Sequence, residues 1–70
     1  MRDPNRIPGH CAELVAIWAA VPDLRFGQLM SNFFVWLAAG EQYIDPFYLE
    51  DEEFFRLLRT YLAQTGGQQK

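Results

Sequence analysis

Seventy residues, 50% of them hydrophobic and 21% charged, describe one small globular domain and exclude two independent cores. Six Lys and Arg against nine Asp and Glu give a net charge of −3, the wrong sign for a chain whose main task is neutralising phosphates. A single cysteine, Cys11, excludes an internal disulfide and a cysteine-rich metal site, so a reducing, cytoplasmic compartment is expected.

The start, Met1-Arg2-Asp3-Pro4-Asn5-Arg6, has no apolar stretch behind its basic residues, so no signal peptide is expected. The longest uncharged runs, 14–22 and 26–40, are shorter than the ~20 residues a membrane-spanning helix needs. No membrane partner is expected.

The first predicted helix covers about 7–21. Ile7, Cys11, Leu14, Trp18 and Val21 recur at helical spacing and define its core stripe, with His10 at the edge. Pro8 suits the first turn, where its missing N–H costs nothing, and Pro22 ends the helix by restricting Val21. Asp23 then stands where an N-cap for the next helix is wanted.

The second helix is predicted over 24–39, with Phe26, Leu29, Met30, Phe33 and Leu37 as its stripe. Phe34 and Trp36 widen the apolar arc to roughly 160° at the ~100° per residue of an α-helix. Gly27 either weakens the first turn or permits a close backbone approach, and Gly40 marks the stop. The connection 41–49 is too aromatic for a solvated linker and is expected to pack across the bundle. Its Phe47-Tyr48-Leu49 also has the composition to pair with Leu24-Arg25-Phe26 as a very short β-bridge.

The third helix is predicted over 51–64. Phe54, Leu57, Leu58 and Tyr61 form its stripe, and Phe55 and Leu62 flank it. Acidic residues 50–53 precede Arg56 and Arg59, the order the helix dipole favours, and Glu52 and Arg56 stand as an i,i+4 pair. Gly66 and Gly67 end the helix, and 65–70 read as a flexible tail. The whole predicts an all-α, compact three-helix bundle.

Few residues have the makings of chemistry. Consecutive carboxylates in Glu50-Asp51-Glu52-Glu53 point about 100° apart on a helix, so they do not converge on one cation. His10 and Cys11 are neighbours, which on a helix seldom brings thiol and imidazole together, and no further His or Cys completes a metal site. Ser31 and Thr60 lack a nucleophile turn, and no glycine-rich phosphate loop is present. Neither an enzyme, a cofactor nor a metal is expected.

A nucleic-acid-binding regulator is the alternative reading, with Arg2, Arg6, Arg25 and His10 gathered near one end and Tyr43, Phe47 and Tyr48 as aromatic surface. Against it stand the net charge and a second helix with no Arg or Lys on its outer face. A small-molecule sensor would need a pocket among the aromatics.

The more informative feature is charge missing where solvent should be. Between Cys11 and Val21 only Glu13 is charged, and the face opposite the stripe is Ala12, Ala16, Ala19 and Ala20. Ala12, Ala16 and Ala20 have the spacing that lets two helices approach closely. Eleven aromatics (six Phe, two Trp, three Tyr) exceed what so small a domain can bury, and aromatics are enriched at interfaces. A non-catalytic interaction module is therefore expected, self-associating or binding another protein. Its interface candidates are Ala12, Ala16 and Ala20 with Phe34 and Trp36, and its candidate polar contacts are Arg25 and Gln28.

The segment Pro22-Asp23-Leu24-Arg25-Phe26-Gly27-Gln28-Leu29, with Trp18 before it and Phe47-Tyr48-Leu49-Glu50-Asp51-Glu52 after it, resembles a group of small bacterial and prophage-type helical proteins. The likeness covers most of 6–62. More distantly, Arg6-Ile7, Trp18, Pro22-Asp23-Leu24 and Leu29 resemble the start of the YihD-like domain of unknown function over about 6–37, without its long charged continuation. Both resemblances imply helices joined by this box. Neither brings a catalytic residue or a ligand.

Overall fold

Three α-helices, α1 (Ile7–Ala19), α2 (Phe26–Ala39) and α3 (Asp51–Thr65), follow one another in the chain, with short 3-10 turns at Pro4–Arg6 and Pro46–Tyr48. The structure, a computed structural model, describes residues 2–40 and 44–66. Leu29, Phe33 and Leu58 are fully buried, and Ile17, Leu24, Leu37, Leu57 and Tyr61 complete the core around them. Phe33 touches four rings, those of Phe34, Trp36, Phe54 and Tyr61. Helix α3 packs on both of the other helices.

The contacts between α1 and α3 fix their relative direction. Arg6 bonds Asp51, His10 stacks on Phe55, and Glu13 pairs with Arg59. An offset of 45 residues at the first contact is kept almost unchanged along both helices, so they run parallel. Their N-terminal, partially positive ends therefore lie at the same end of the molecule, where Asp51, Glu52 and Glu53 fill the first turn of α3.

The predicted helices are all present, with adjusted ends. Helix α1 stops at Ala19 rather than 21, because the next two amides close tighter bonds: Ala20 N–H to the Ile17 carbonyl and Val21 N–H to the Trp18 carbonyl. Helix α2 begins at Phe26 rather than 24, since Leu24 is drawn into the core. Its N-cap is Arg25, not Asp23, and the Gln28 side chain accepts from the Arg25 N–H at 2.8 Å. Gly66 ends α3 in the left-handed conformation (φ 65°), donating its N–H to the Leu62 carbonyl at 2.7 Å. Thr65 belongs to α3, and 67–70 of the expected tail lie outside the described residues.

Three packing expectations are corrected. Of the expected α1 stripe, Leu14, Trp18 and Val21 pack on the core, but Cys11 and Ile7 are exposed and the buried residue is Ile17, so the inner face is turned from the expected one toward Ile17. Phe26 is 43% exposed and rests on the Trp18 ring instead of entering the core. A Cβ on Gly27 would meet nothing within 4 Å, so no backbone approaches it closely.

No strand occurs among the described residues, and the expected bridge is absent. Asp45 caps a 3-10 turn by accepting from the Phe47 N–H at 3.0 Å, which curls Phe47 and Tyr48 away from an extended pairing. Ile44 and Leu49 pack on the core, but Phe47 and Tyr48 are 81% and 78% exposed. The described part of the connection, 44–49, thus packs through Ile44 and Leu49 and projects an aromatic pair between them, and 41–43 lie outside the described residues.

Candidate interaction surface

Helix α1 presents a solvent face without charge. Its exposed residues are Ile7, Pro8, Gly9, Cys11, Ala12, Val15, Ala16 and Ala19, followed by Ala20. The one charged side chain of the helix, Glu13, is turned toward α3, where it pairs with Arg59 and is 27% exposed. His10, the other polar ring-bearing residue, lies flat on Phe55 with centroids 5.0 Å apart. Both polar groups of α1 thus serve the contact with α3, leaving the outer face to small and apolar side chains.

The same face continues past the helix end. Val15, Trp18, Ala19 and Pro22 line a shallow apolar hollow of about 320 Å³. Trp18 is held in place from both sides: its Nε1–H donates to the Leu24 carbonyl at 2.8 Å, and Phe26 packs against its ring at 5.3 Å. Helix α2 is uncharged along its whole length and exposes Ser31, Phe34, Val35, Ala38 and Ala39.

The predicted interface residues separate into two groups. Ala12, Ala16 and Ala20 share the exposed side of α1. Phe34, 38% exposed, stands on α2 against the edge of Phe54, and Trp36 is half-buried against Phe33 and Tyr61. Gln28 is occupied as the reciprocal cap of Arg25, a local structural role. The Arg25 side chain is exposed and enters no ion pair among the described residues.

Charge is gathered at the end where α1 and α3 begin. Arg2 bonds Glu50 at 2.5 Å, and Arg6 Nε donates to Asp51 at 2.6 Å. The Arg6 guanidinium beside it holds the Asp51 carboxyl below the usual carboxylate range. Arg56 grips Glu53 through two N–H groups and likewise lowers that carboxyl, so the expected Glu52–Arg56 pair gives way to the i,i+3 neighbour. The acidic run is thus a set of clamps to three arginines, two of them from the N-terminal segment. That role was not read from the sequence, because the pairs with Arg2 and Arg6 join residues 48 and 45 positions apart and leave no local spacing to find.

This arrangement disperses the basic cluster expected of a nucleic-acid reader. Arg2 and Arg6 are held in ion pairs at one end, while Arg25 follows the far end of a 13-residue helix, ~20 Å away at 1.5 Å per residue. Tyr43 lies outside the described residues. Of the hydroxyl candidates, Thr60 donates to the Arg56 carbonyl and Ser31 is exposed. Among the described residues no three His, Cys, Asp or Glu side chains are placed to hold a metal ion. Among the described residues no helix is long and apolar enough to cross a membrane.

No family model, curated protein or solved structure matches the chain.

Proposed function

We propose that this protein is a non-catalytic interaction module that self-associates through the outer face of α1. The observation that carries the reading is the uncharged exposed side of that helix, from Ile7 to Ala20, while its single carboxylate faces inward. A solvated helix normally places charge on its outer face. An apolar strip ending in a hollow at Trp18 suits a surface that is covered in the working state. The lone exposed cysteine on the same helix fits a reducing, cytoplasmic setting.

Light scattering behind size exclusion, over a range of concentrations, tests it against the 8.2 kDa monomer mass. The expected result is a species of roughly twice that mass, which Ala16→Glu converts to a folded monomer with unchanged helical circular dichroism. A monomeric wild type at every concentration sinks the proposal. An Ala16→Glu variant that assembles normally removes α1 as the surface.

A further inference from the structure

Phe47 and Tyr48 are 81% and 78% exposed, and their rings rest on each other, edge to face at 4.9 Å, rather than on the core. The turn beneath them is fixed. Asp45 accepts from the Phe47 N–H at 3.0 Å, and the Tyr48 and Leu49 amides donate to the Asp45 and Pro46 carbonyls at 3.1 and 3.2 Å. Burial in the fold thus gives no reason for two large rings here, while a projecting, preorganised aromatic pair is what anchors a docked partner.

The charge around the pair selects the partner. Glu13 with Arg59 and Glu53 with Arg56 are closed pairs, and Asp23 and Arg25 stand two residues apart with opposite sign. Glu41 and Lys70, outside the described residues, offset each other in the net charge. What is left is Asp3, Asp45, Glu50, Asp51 and Glu52 against Arg2 and Arg6, which is the whole net charge of −3. All of these but Asp45 line one hollow of about 260 Å³ where α1 and α3 begin. The two helix N-termini there offset only about one charge. Asp3, Asp45 and Glu52 enter no ion pair among the described residues.

Chain length sets the rings beside that hollow. Tyr48 stands two residues before Glu50, so their Cα atoms lie within ~7 Å of each other, and those of Phe47 and Glu50 within ~11 Å. An interface of about 800 Å² per partner is roughly 30 Å across, so whatever covers the rings also meets the acidic rim. A second copy in a two-fold contact would bring this acidic end against itself, and nucleic acid or an anionic membrane is repelled likewise. A basic protein segment is attracted. Arginine suits both halves of the surface, because its guanidinium stacks on an aromatic face and pairs with a carboxylate.

We propose that the Phe47–Tyr48 pair and the unpaired carboxylates beside it dock an arginine-bearing basic segment of another protein. Docking there requires no dimer, so it stands or falls separately from the α1 face. The test is titration of the isotope-labelled chain with a capped hexa-arginine peptide at about 150 mM salt, followed by backbone amide shifts. Shifts are expected at 45–52 and at Asp3. Phe47→Ala and Tyr48→Ala should each weaken binding about two- to fivefold, and the double variant about tenfold. Hexa-lysine should bind more weakly than hexa-arginine, because an ammonium does not stack on the rings. Both rings project from the fold, so these variants should keep the wild-type Tm, which separates lost binding from lost folding. A peptide that shifts nothing overturns the proposal. Binding that ignores both ring substitutions is charge attraction alone and also overturns it. Shifts at 45–52 that grow with protein concentration, without peptide, place a second copy on the rings and overturn it as well.

Discussion

The indole N–H of Trp18 donates to the backbone carbonyl of Leu24 at 2.8 Å, tying the last turn of α1 to the entry of α2. The bond spans a turn in which the Leu24 N–H also reaches the Val21 carbonyl at 3.1 Å. It fixes Trp18 as a wall of the surface hollow and holds Leu24 in the core, where it is 7% exposed.

Trp18→Phe keeps a ring in place and deletes the donor. The expected loss is about 1 kcal/mol or more, which for a domain of this size lowers Tm by roughly 4–8 °C per kcal/mol. Thermal unfolding followed by circular dichroism checks it. A variant as stable as wild type would show that the bond adds nothing beyond ring packing.

Phe33 is fully buried under four other rings. Phe33→Ala removes that packing and leaves a cavity, at a cost of about 3–5 kcal/mol. At about 0.05–0.15 kcal/mol per residue a chain of 70 holds roughly 3.5–10 kcal/mol, so the substitution should remove a third or more of its stability. Urea titration of the variant is expected to show a midpoint lowered in that proportion, and an unchanged midpoint would mean that the ring cluster is not what holds the core.

Two substitutions at the start of α2 discriminate the observed cap from the expected one. Gln28→Ala removes the acceptor for the Arg25 N–H and should cost about 0.5–1 kcal/mol, whereas Asp23→Ala should be nearly neutral. Gly27→Ala, with open space around the new methyl, should gain about 0.5–1 kcal/mol through helix propensity. Urea midpoints of the three variants check all of this. A large loss in Asp23→Ala would restore that residue as the cap.

Asp51 and Glu53 have their carboxyl groups held below the ordinary range by hydrogen bonds from Arg6 and Arg56. For a depressed acid, the stabilisation is complete above its unfolded-state pKa and disappears as pH falls through the folded value. Stability should thus be level near neutrality and decline below about pH 4. Both pairs are exposed, so added salt should flatten the decline. Asp51→Asn should show a shallower acid limb in urea titrations across pH. An identical limb would mean that the Arg6 pair contributes nothing to it.

Helix α3 was legible because its sequence alternates charged and apolar faces, leaving one phase for Phe54, Leu57, Leu58 and Tyr61. The Leu29, Phe33, Leu37 stripe of α2 was legible for the same reason, as large side chains against small ones. Helix α1 was legible as a helix but not in its rotation. Residues 14–22 are uncharged throughout, so periodicity has no polar minimum to set the phase. What sets it is tertiary: the Glu13–Arg59 pair and the His10–Phe55 stack, formed across some 45 residues of chain. Glu13 and His10 lie one helical turn before Ile17 and Leu14, which in retrospect marks the inner side. The exposed alanines were legible by composition, and the projecting Phe47–Tyr48 pair was not, because the Asp45 cap that turns it outward is a local backbone choice.

The parallel register of α1 and α3 also governs when the fold can close. The Arg6–Asp51, His10–Phe55 and Glu13–Arg59 contacts join residues 45 or 46 positions apart in a chain of 70, a long loop to close for a helical domain. Helix α1 is made first and meets its packing partner last. At about 5–20 residues per second, the ribosome needs roughly 2–9 s to supply the 45 residues that separate Arg6 from Asp51. Through that interval Ile17 and Leu14 lie uncovered beside the apolar outer face, so the nascent helix offers an adhesive surface on nearly every side. Synthesis of this small domain therefore carries a window of aggregation risk that its finished structure does not display.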